Sequence, residues 1–313
     1  RLRCDWSSDV CSSDLPTLDR IPGYWRWEDK WPIDRIENHT WYAHADHSLS
    51  NEQAKNAIHS MVYKPSMGLE GGGRTMWWGD VTPDQRPMDE FSLVYDSEIL
   101  DAPLEILGRP IAKLHVSADA PRANWVVRIS DVAPDGQVTQ VAGAAFNGTH
   151  RISAREPSDI VPGDEFNLNI NLHFTSWVFP KDHRIRIAIS NAQWPMLWPT
   201  PMQMASTLTI GGKNGARIDL PVVPNGEEYT PSLKEPSTSP ILSGYEVIDS
   251  GGAGGYAAIY SIQHDPETGE AFGVATSAGA NQSPWGIERF EEEIEHRTSD
   301  ENPAYTSDRK SVV

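Results

Sequence analysis

Three constellations in this sequence carry residue types that could do chemistry. His44, Asp46 and His47 crowd into the run Tyr42-Ala43-His44-Ala45-Asp46-His47, and two imidazoles with a carboxylate are part of a transition-metal set. Such sites need a third or fourth protein ligand, and no second pair at suitable spacing accompanies these residues. The run therefore reads as a solvated turn, with no metal. His183 with Arg184 and Arg186 has the charge for an anion patch, but interleaved Ile185, Ile187 and Ile189 make these residues the polar face of a strand. Trp77 and Trp78, beside Met76 in a Gly-flanked segment, offer apolar area and an indole donor for lining a substrate cleft. Packing in a core is the competing reading.

The signatures of catalysis are absent from the sequence. A serine nucleophile for acyl transfer sits on a strained strand-to-helix elbow written G-x-S-x-G, and that pentapeptide does not occur. Walker-type loops, H-E-x-x-H and EF-hand spacings are missing too, and Gly71-Gly72-Gly73 leads into no Lys-Ser/Thr pair. No catalytic residue, metal ligand or cofactor is assigned. Lys and Arg number 26 against 44 Asp and Glu, a net charge of -18, which argues against nucleic acid or an anionic membrane as partner. No apolar run approaches the roughly 20 residues that span a bilayer. The compartment is left open with the cytoplasm favoured, and the oligomeric state is unassigned.

The two ends read differently from the rest. Residues 4–15, CDWSSDVCSSDL, and residues 308–313, DRKSVV, back-translate without strain to strings resembling the two complementary senses of a short-read sequencing adapter. Residues 1–15 and 308–313 are therefore expected to have no regular place in the fold. Both cysteines, Cys4 and Cys11, fall in the first of these segments. The remainder is cysteine-free, which excludes thiol nucleophiles, zinc-thiolate sites and disulfides there.

The elements that must position any site are strands. In Phe166-Asn-Leu-Asn-Ile-Asn-Leu-His-Phe174 five apolar residues alternate with polar ones, the period of a strand with one buried face. Ile185, Ile187 and Ile189 repeat the pattern, as do Leu114, Val116 and Ala118. Pro134-Asp135-Gly136 separates two such runs and supplies a preset φ, a side-chain-capped turn and a residue tolerant of positive φ, which is a hairpin. Helical periodicity is scarce, so the fold class is all-β, a jelly-roll β-sandwich. Pro224, Pro231, Pro236 and Pro240 mark residues 224–243 as a linker. Beyond it a partial second β-rich domain over 244–307 opens with a hairpin across Asp265–Gly269, and Trp285 to Arg297 reads as a strand or an acidic helix.

Several segments, in order, resemble a known family. Trp77-Trp78-Gly79-Asp80, Asp84-Gln85-Arg86-Pro87, Leu93–Leu100 and Leu104–Gly108 resemble the opening of the C-terminal jelly roll of the cocaine esterase and X-Pro dipeptidyl-peptidase family. Ile129–Gly136 resembles its strand-and-turn segment ending PDG, and Phe179–Arg186 its segment F-x-x-GHR, with Asp182 where the family has glycine. Ile21–Pro32 resembles the exit from the family's α/β-hydrolase domain, over 16–60, and 61–223 the jelly roll, a galactose-binding-like sandwich. The resemblance implies a non-catalytic C-terminal portion of a serine hydrolase, partnered within one polypeptide by a hydrolase domain that carries the Ser-His-Asp triad. It further implies that this portion shapes the substrate cleft, and that substrates are esters, β-lactam side-chain amides or X-Pro dipeptides. The alternative is a free-standing carbohydrate-binding jelly roll whose exposed tryptophans stack on sugar rings.

Overall fold

A computed structural model of the chain describes residues 3–5, 23–68, 84–194, 196–224, 232, 257–265, 267–283, 286–301 and 306–312. The larger sheet is built from β2 (Glu37–Ala43), β3 (Ser48–Ser50), β4 (Ala57–Val62), β5 (Leu93–Ser97), β6 (Leu104–Gly108), β7 (Ile111–Ala118), β8 (Asn124–Val132), β9 (Val138–Asn147), β10 (Phe166–Asn171), β11 (Thr175–Phe179), β12 (Arg184–Ser190), β13 (Ala205–Ile210) and β14 (Arg217–Val222). Hydrogen bonding runs β4-β13-β7-β14-β2-β3-β5-β12-β8-β9, with β10 branching from β7 and the β6–β11 pair from β14. The smaller sheet has the order β1-β15-β16-β17-β18, from Arg3–Asp5, Ala257–Asp265, Glu270–Ser283, Gly286–Ser299 and Thr306–Val312. The single described α-helix is α1, Arg86–Asp89.

The larger sheet folds over on itself. Met61 of β4 and Leu208 of β13, at one end of the path, bury in the same core as Ile187 of β12 and Ile129 of β8 near the other. That is an all-β sandwich, as the period-2 pattern predicts. β10 shows why: Leu168 and Ile170 are buried while Asn167, Asn169 and Asn171 are exposed, and each buried Leu or Ile contributes about 1.5–3 kcal/mol. β8 has both faces covered. Trp125, Val127 and Ile129 face the core, while Val126, Arg128 and Ser130 point the other way and are equally buried, because α1 and its flanking residues cover that side. The turn after β8 forms as expected: the Gly136 amide donates to Ala133, Asp135 Oδ1 accepts from the Gln137 amide, and Gly136 has φ +86.

At Asp182 the departure from the family pattern acquires a physical meaning. Its φ is +69, in the left-handed region where glycine sits without a Cβ penalty. Asp182→Gly is expected to raise stability by about 0.5–1 kcal/mol in urea unfolding, and a loss of stability would show that the aspartate side chain itself secures the turn.

The smaller sheet resolves one ambiguity. The acidic run within Trp285 to Arg297 is a strand, and its register sets Glu291, Glu292 and Glu293 opposite Ala278, Ser277 and Thr276. Both ends of the chain, expected outside the fold, join this sheet as edge strands: Arg3–Asp5 pairs β15 and Thr306–Val312 pairs β17. An open edge offers free backbone donors and acceptors to any proline-free segment, so pairing there demands little of the sequence. Residues 224–243 lie largely outside the described residues. Among the described residues no helix is long and apolar enough to cross a membrane.

Candidate functional site

Trp77 and Trp78, offered as lining a cleft, and Gly71-Gly72-Gly73 lie outside the described residues. The other offered residues are engaged elsewhere. His44 Nε2 is 2.8 Å from Ser50 Oγ, Asp46 accepts from the Ser48 amide and hydroxyl, and His47 Nδ1 is 2.9 Å from the Val94 carbonyl. Their nitrogens diverge, and no metal-binding group of three or more His, Cys, Asp or Glu occurs among the described residues. His183 Nδ1 lies 2.7 Å from Asp131 Oδ1, Arg184 donates to the Ser97 carbonyl, and Arg186 grips Asp96 with two nitrogens. Asp131 also accepts from the Trp177 indole. Burial pushes its carboxyl above the usual range against the His183 and Trp177 hydrogen bonds.

Two serine-histidine contacts could suggest a nucleophile, and neither builds one. Ser66 Oγ lies 3.0 Å from His264 Nε2 and 3.0 Å from Asp300 Oδ1. In a triad the carboxylate orients the imidazole, whereas Asp300 takes the serine itself, and Ser66 is fully buried. This cluster, with Gln203 donating to the Asp300 carbonyl, instead ties the smaller sheet to the sandwich. The His44–Ser50 pair has no carboxylate hydrogen-bonded to the imidazole among the described residues.

The surface with a chemistry of its own is a strip of aromatic rings over β6 and β11. Tyr24, Trp25, Trp27 and Trp31 are 59%, 72%, 60% and 57% exposed, and Phe174 is 50% exposed. Trp31 meets Phe174 edge-on at 5.3 Å between centroids. Beneath them runs an ion-pair chain: Arg35 donates to Glu28 at 2.8 Å, Arg26 Nε to Glu28 at 2.6 Å, and Arg26 Nη1 lies 2.6 Å from Glu105 of β6. The Arg35 guanidinium, with Arg26, holds the Glu28 carboxyl below the usual carboxylate range. Arg26 and Glu105 side chains are only 12% and 14% exposed, so these charges are largely shielded from water. Sequence reasoning took this run only as resembling a domain exit. The missed signal is inverted alternation, with Trp25 and Trp27 outward and Arg26 inward between them.

What the fold defines is a β-sandwich without a serine-histidine-acid triad among its described residues, presenting a fixed aromatic strip. The family described as the X-Pro dipeptidyl-peptidase C-terminal non-catalytic domain matches residues 9–216, and the chain belongs to it. A Mycobacterium bovis protein named as a serine esterase is 27% identical over 233 residues, covering 65% of this chain and 36% of that protein. Cocaine esterase of a Rhodococcus species is 26% identical over 186 residues, covering 55% and 32%. The chain thus spans about a third of the length of the curated relatives it matches. Among solved structures, an aminopeptidase from a marine sediment Thaumarchaeota archaeon aligns with TM-score 0.55 at 22% identity over 63% of this chain and 38% of that one. An α-amino acid ester hydrolase aligns with TM-score 0.53 at 21% identity over 59% and 36%. These two likenesses are of fold.

Proposed function

We propose that in the whole protein this chain is the accessory portion of a serine hydrolase acting on esters or X-Pro peptide bonds, and that it packs against an α/β-hydrolase domain and shapes its substrate cleft. The observation that carries the reading is the aromatic strip. Five rings at 150–250 Å² each, a little over half exposed, leave on the order of 600 Å² of aromatic surface in water, close to the roughly 800 Å² per partner of a standard interface. Isolated surface aromatics need no partner, whereas four exposed rings within residues 24–31, one of them packed edge-on against exposed Phe174, support an interaction site. The strip also lies on the segment leading into β2, so a domain preceding it on the same polypeptide is tethered beside it at high effective concentration.

The purified chain is expected not to hydrolyse p-nitrophenyl esters or X-Pro anilides above a protein-free blank, since nucleophile, base and orienting acid act as a unit. Extended upstream from the genomic reading frame, the protein should react with a fluorophosphonate probe at a serine outside this chain. In that protein Trp25→Ala with Trp27→Ala should lower kcat/KM at least tenfold without moving the labelled serine. Probe-sensitive turnover by the chain alone, or an unreactive extended protein, would overturn the reading. Saturable quenching of the strip's tryptophans by soluble oligosaccharides would favour the carbohydrate-binding alternative instead.

A further inference from the structure

We propose that His47, His59 and Tyr95 form a proton-operated clasp that closes the sandwich, shut when both imidazoles are neutral and opened when both are charged. His59 lies on β4, at one end of the hydrogen-bonded path, whereas His47 in the turn before β3 and Tyr95 on β5 belong to two neighbouring strands remote from it. His47 stacks on His59 with centroids 4.5 Å apart and planes 16° apart, and both stack on Tyr95 at 5.4 and 5.8 Å. Among the described strands β4 pairs with β13 alone, and the stack adds to the core burial of Met61 in holding this edge to the rest of the sandwich. His47 adopts φ +66, a costly backbone for histidine that the stack and the Val94 hydrogen bond together maintain.

The partners fix the protonation state. The Val94 carbonyl only accepts, so His47 Nδ1, 2.9 Å away, carries the hydrogen. His59 Nδ1 is 2.8 Å from Tyr95 Oη, burial keeps the Tyr95 phenol protonated, and in the shut clasp the hydroxyl is assigned as donor to Nδ1. His59 therefore accepts at Nδ1 and is neutral, with its hydrogen on Nε2. Protonating His59 would turn Nδ1 into a donor, deprive the buried Tyr95 hydroxyl hydrogen of this acceptor and set a cation face to face with His47. Like charges in contact oppose each other more strongly as water is excluded.

The surrounding charges do not neutralise such a pair. On the turn, His44 bonds Ser50 and Asp46 is taken by Ser48. On β5, Asp96 is paired with Arg186 of β12 at 2.6 Å. Arg217 of β14 lines the same small cavity as Tyr95, with its guanidinium donating to the Lys213 and Gly215 carbonyls. Neither β3, SLS, nor the β13 residues opposite His59, Thr207 to Thr209, bear a titratable group. His59 is lowered from the ordinary histidine value by burial first and by His47 second. A base lowered in the folded state binds its proton better when the clasp is open, so the clasp is complete above pH 6.5, the reference value, and weakens as pH falls below it.

The test is amide exchange and histidine NMR on the full chain. The Asp96 amide donates to the His47 carbonyl at 3.0 Å where β3 pairs with β5 and reports whether the turn that carries His47 stays seated. Its protection factor is expected to fall at least tenfold between about pH 7.5 and 5, with the two ring protons titrating in coupled rather than independent steps. His47→Asn, which tolerates positive φ and keeps an amide donor for Val94, should hold the protection at pH 7.5 within about threefold while abolishing most of the fall. His59→Phe, which retains a ring without a titrating nitrogen, is the second variant and should likewise flatten the profile. Flat protection in the wild-type chain, independent single-step titrations, or an undiminished fall in His47→Asn would each overturn the clasp.

Discussion

Asp89→Ala is expected to lower the unfolding free energy by about 3–5 kcal/mol, read as a lower urea midpoint at unchanged slope. Arg128 is 1% exposed and donates to Asp89 at 2.8 Å, Gln85 at 2.7 Å and Ser92 at 3.0 Å. The other Asp89 oxygen takes Arg186 at 3.0 Å, and Arg186 in turn grips Asp96 at 2.6 Å. Two guanidiniums are thus balanced by two carboxylates, with Asp89 between the cations. Burial pulls Arg128 below the ordinary arginine value, and Asp89 is what opposes that pull. Removing Asp89 leaves two cations for one anion, the more deeply buried one with no counter-charge. A buried pair replaced whole by apolar groups can be nearly neutral, whereas one broken from a single side strands a charge. Asp89→Ala combined with Arg128→Met should therefore recover at least half of the loss, and a double variant no better than the single would show that the network's value lies elsewhere.

The contrast between this network and β10 marks what could be read beforehand. β10 declared itself because its burial is set by neighbours two residues apart in its own chain, so alternation of Leu168 and Ile170 with asparagines is a local signal. Likewise Pro134-Asp135-Gly136 specifies its turn with its own φ preferences and side-chain bond. The Arg128–Asp89 pair spans 39 residues, and neither side has a periodicity that names its partner. Nothing local distinguishes Arg128 from a charge on a strand's solvated face, because the cover over that face comes from the distant α1. His47 was read correctly as part of a turn, but its stacking partner His59 lies on the next strand but one, and a left-handed φ at histidine has no local sequence signature.

The aromatic strip was illegible for a different reason. Trp25, Trp27 and Trp31 in an ordinary chain signal core, and no local rule in the sequence marks them as exposed. The resemblance to an exit from a hydrolase domain says nothing of the inward Arg26 between outward-facing Trp25 and Trp27. In the smaller sheet the glutamates of β17 left strand and helix equally open, and only the register against β16 decided between them.

Leu168→Ala is the second large effect, a loss of about 2–5 kcal/mol. Leu168 is 2% exposed, paired in register with Leu114 of β7 and set in the same core cluster as Ile170 and Leu172. Truncation removes three buried carbon atoms, and the cost rises with whatever cavity the surroundings fail to close. Closure is hindered here because β10 is fixed by a six-residue register against β7 and by Phe166, whose ring meets Trp125 edge-on at 5.4 Å. The loss should fall in the upper half of the range. Leu168→Met, which conserves volume, should cost less than about 1.5 kcal/mol, and exposed Asn169→Ala should stay within about 0.5 kcal/mol. Urea unfolding of the three variants decides the matter. A Leu168→Ala loss below about 0.5 kcal/mol, equal to that of Asn169→Ala, would mean that β10 does not bury the face its alternation assigns to the core.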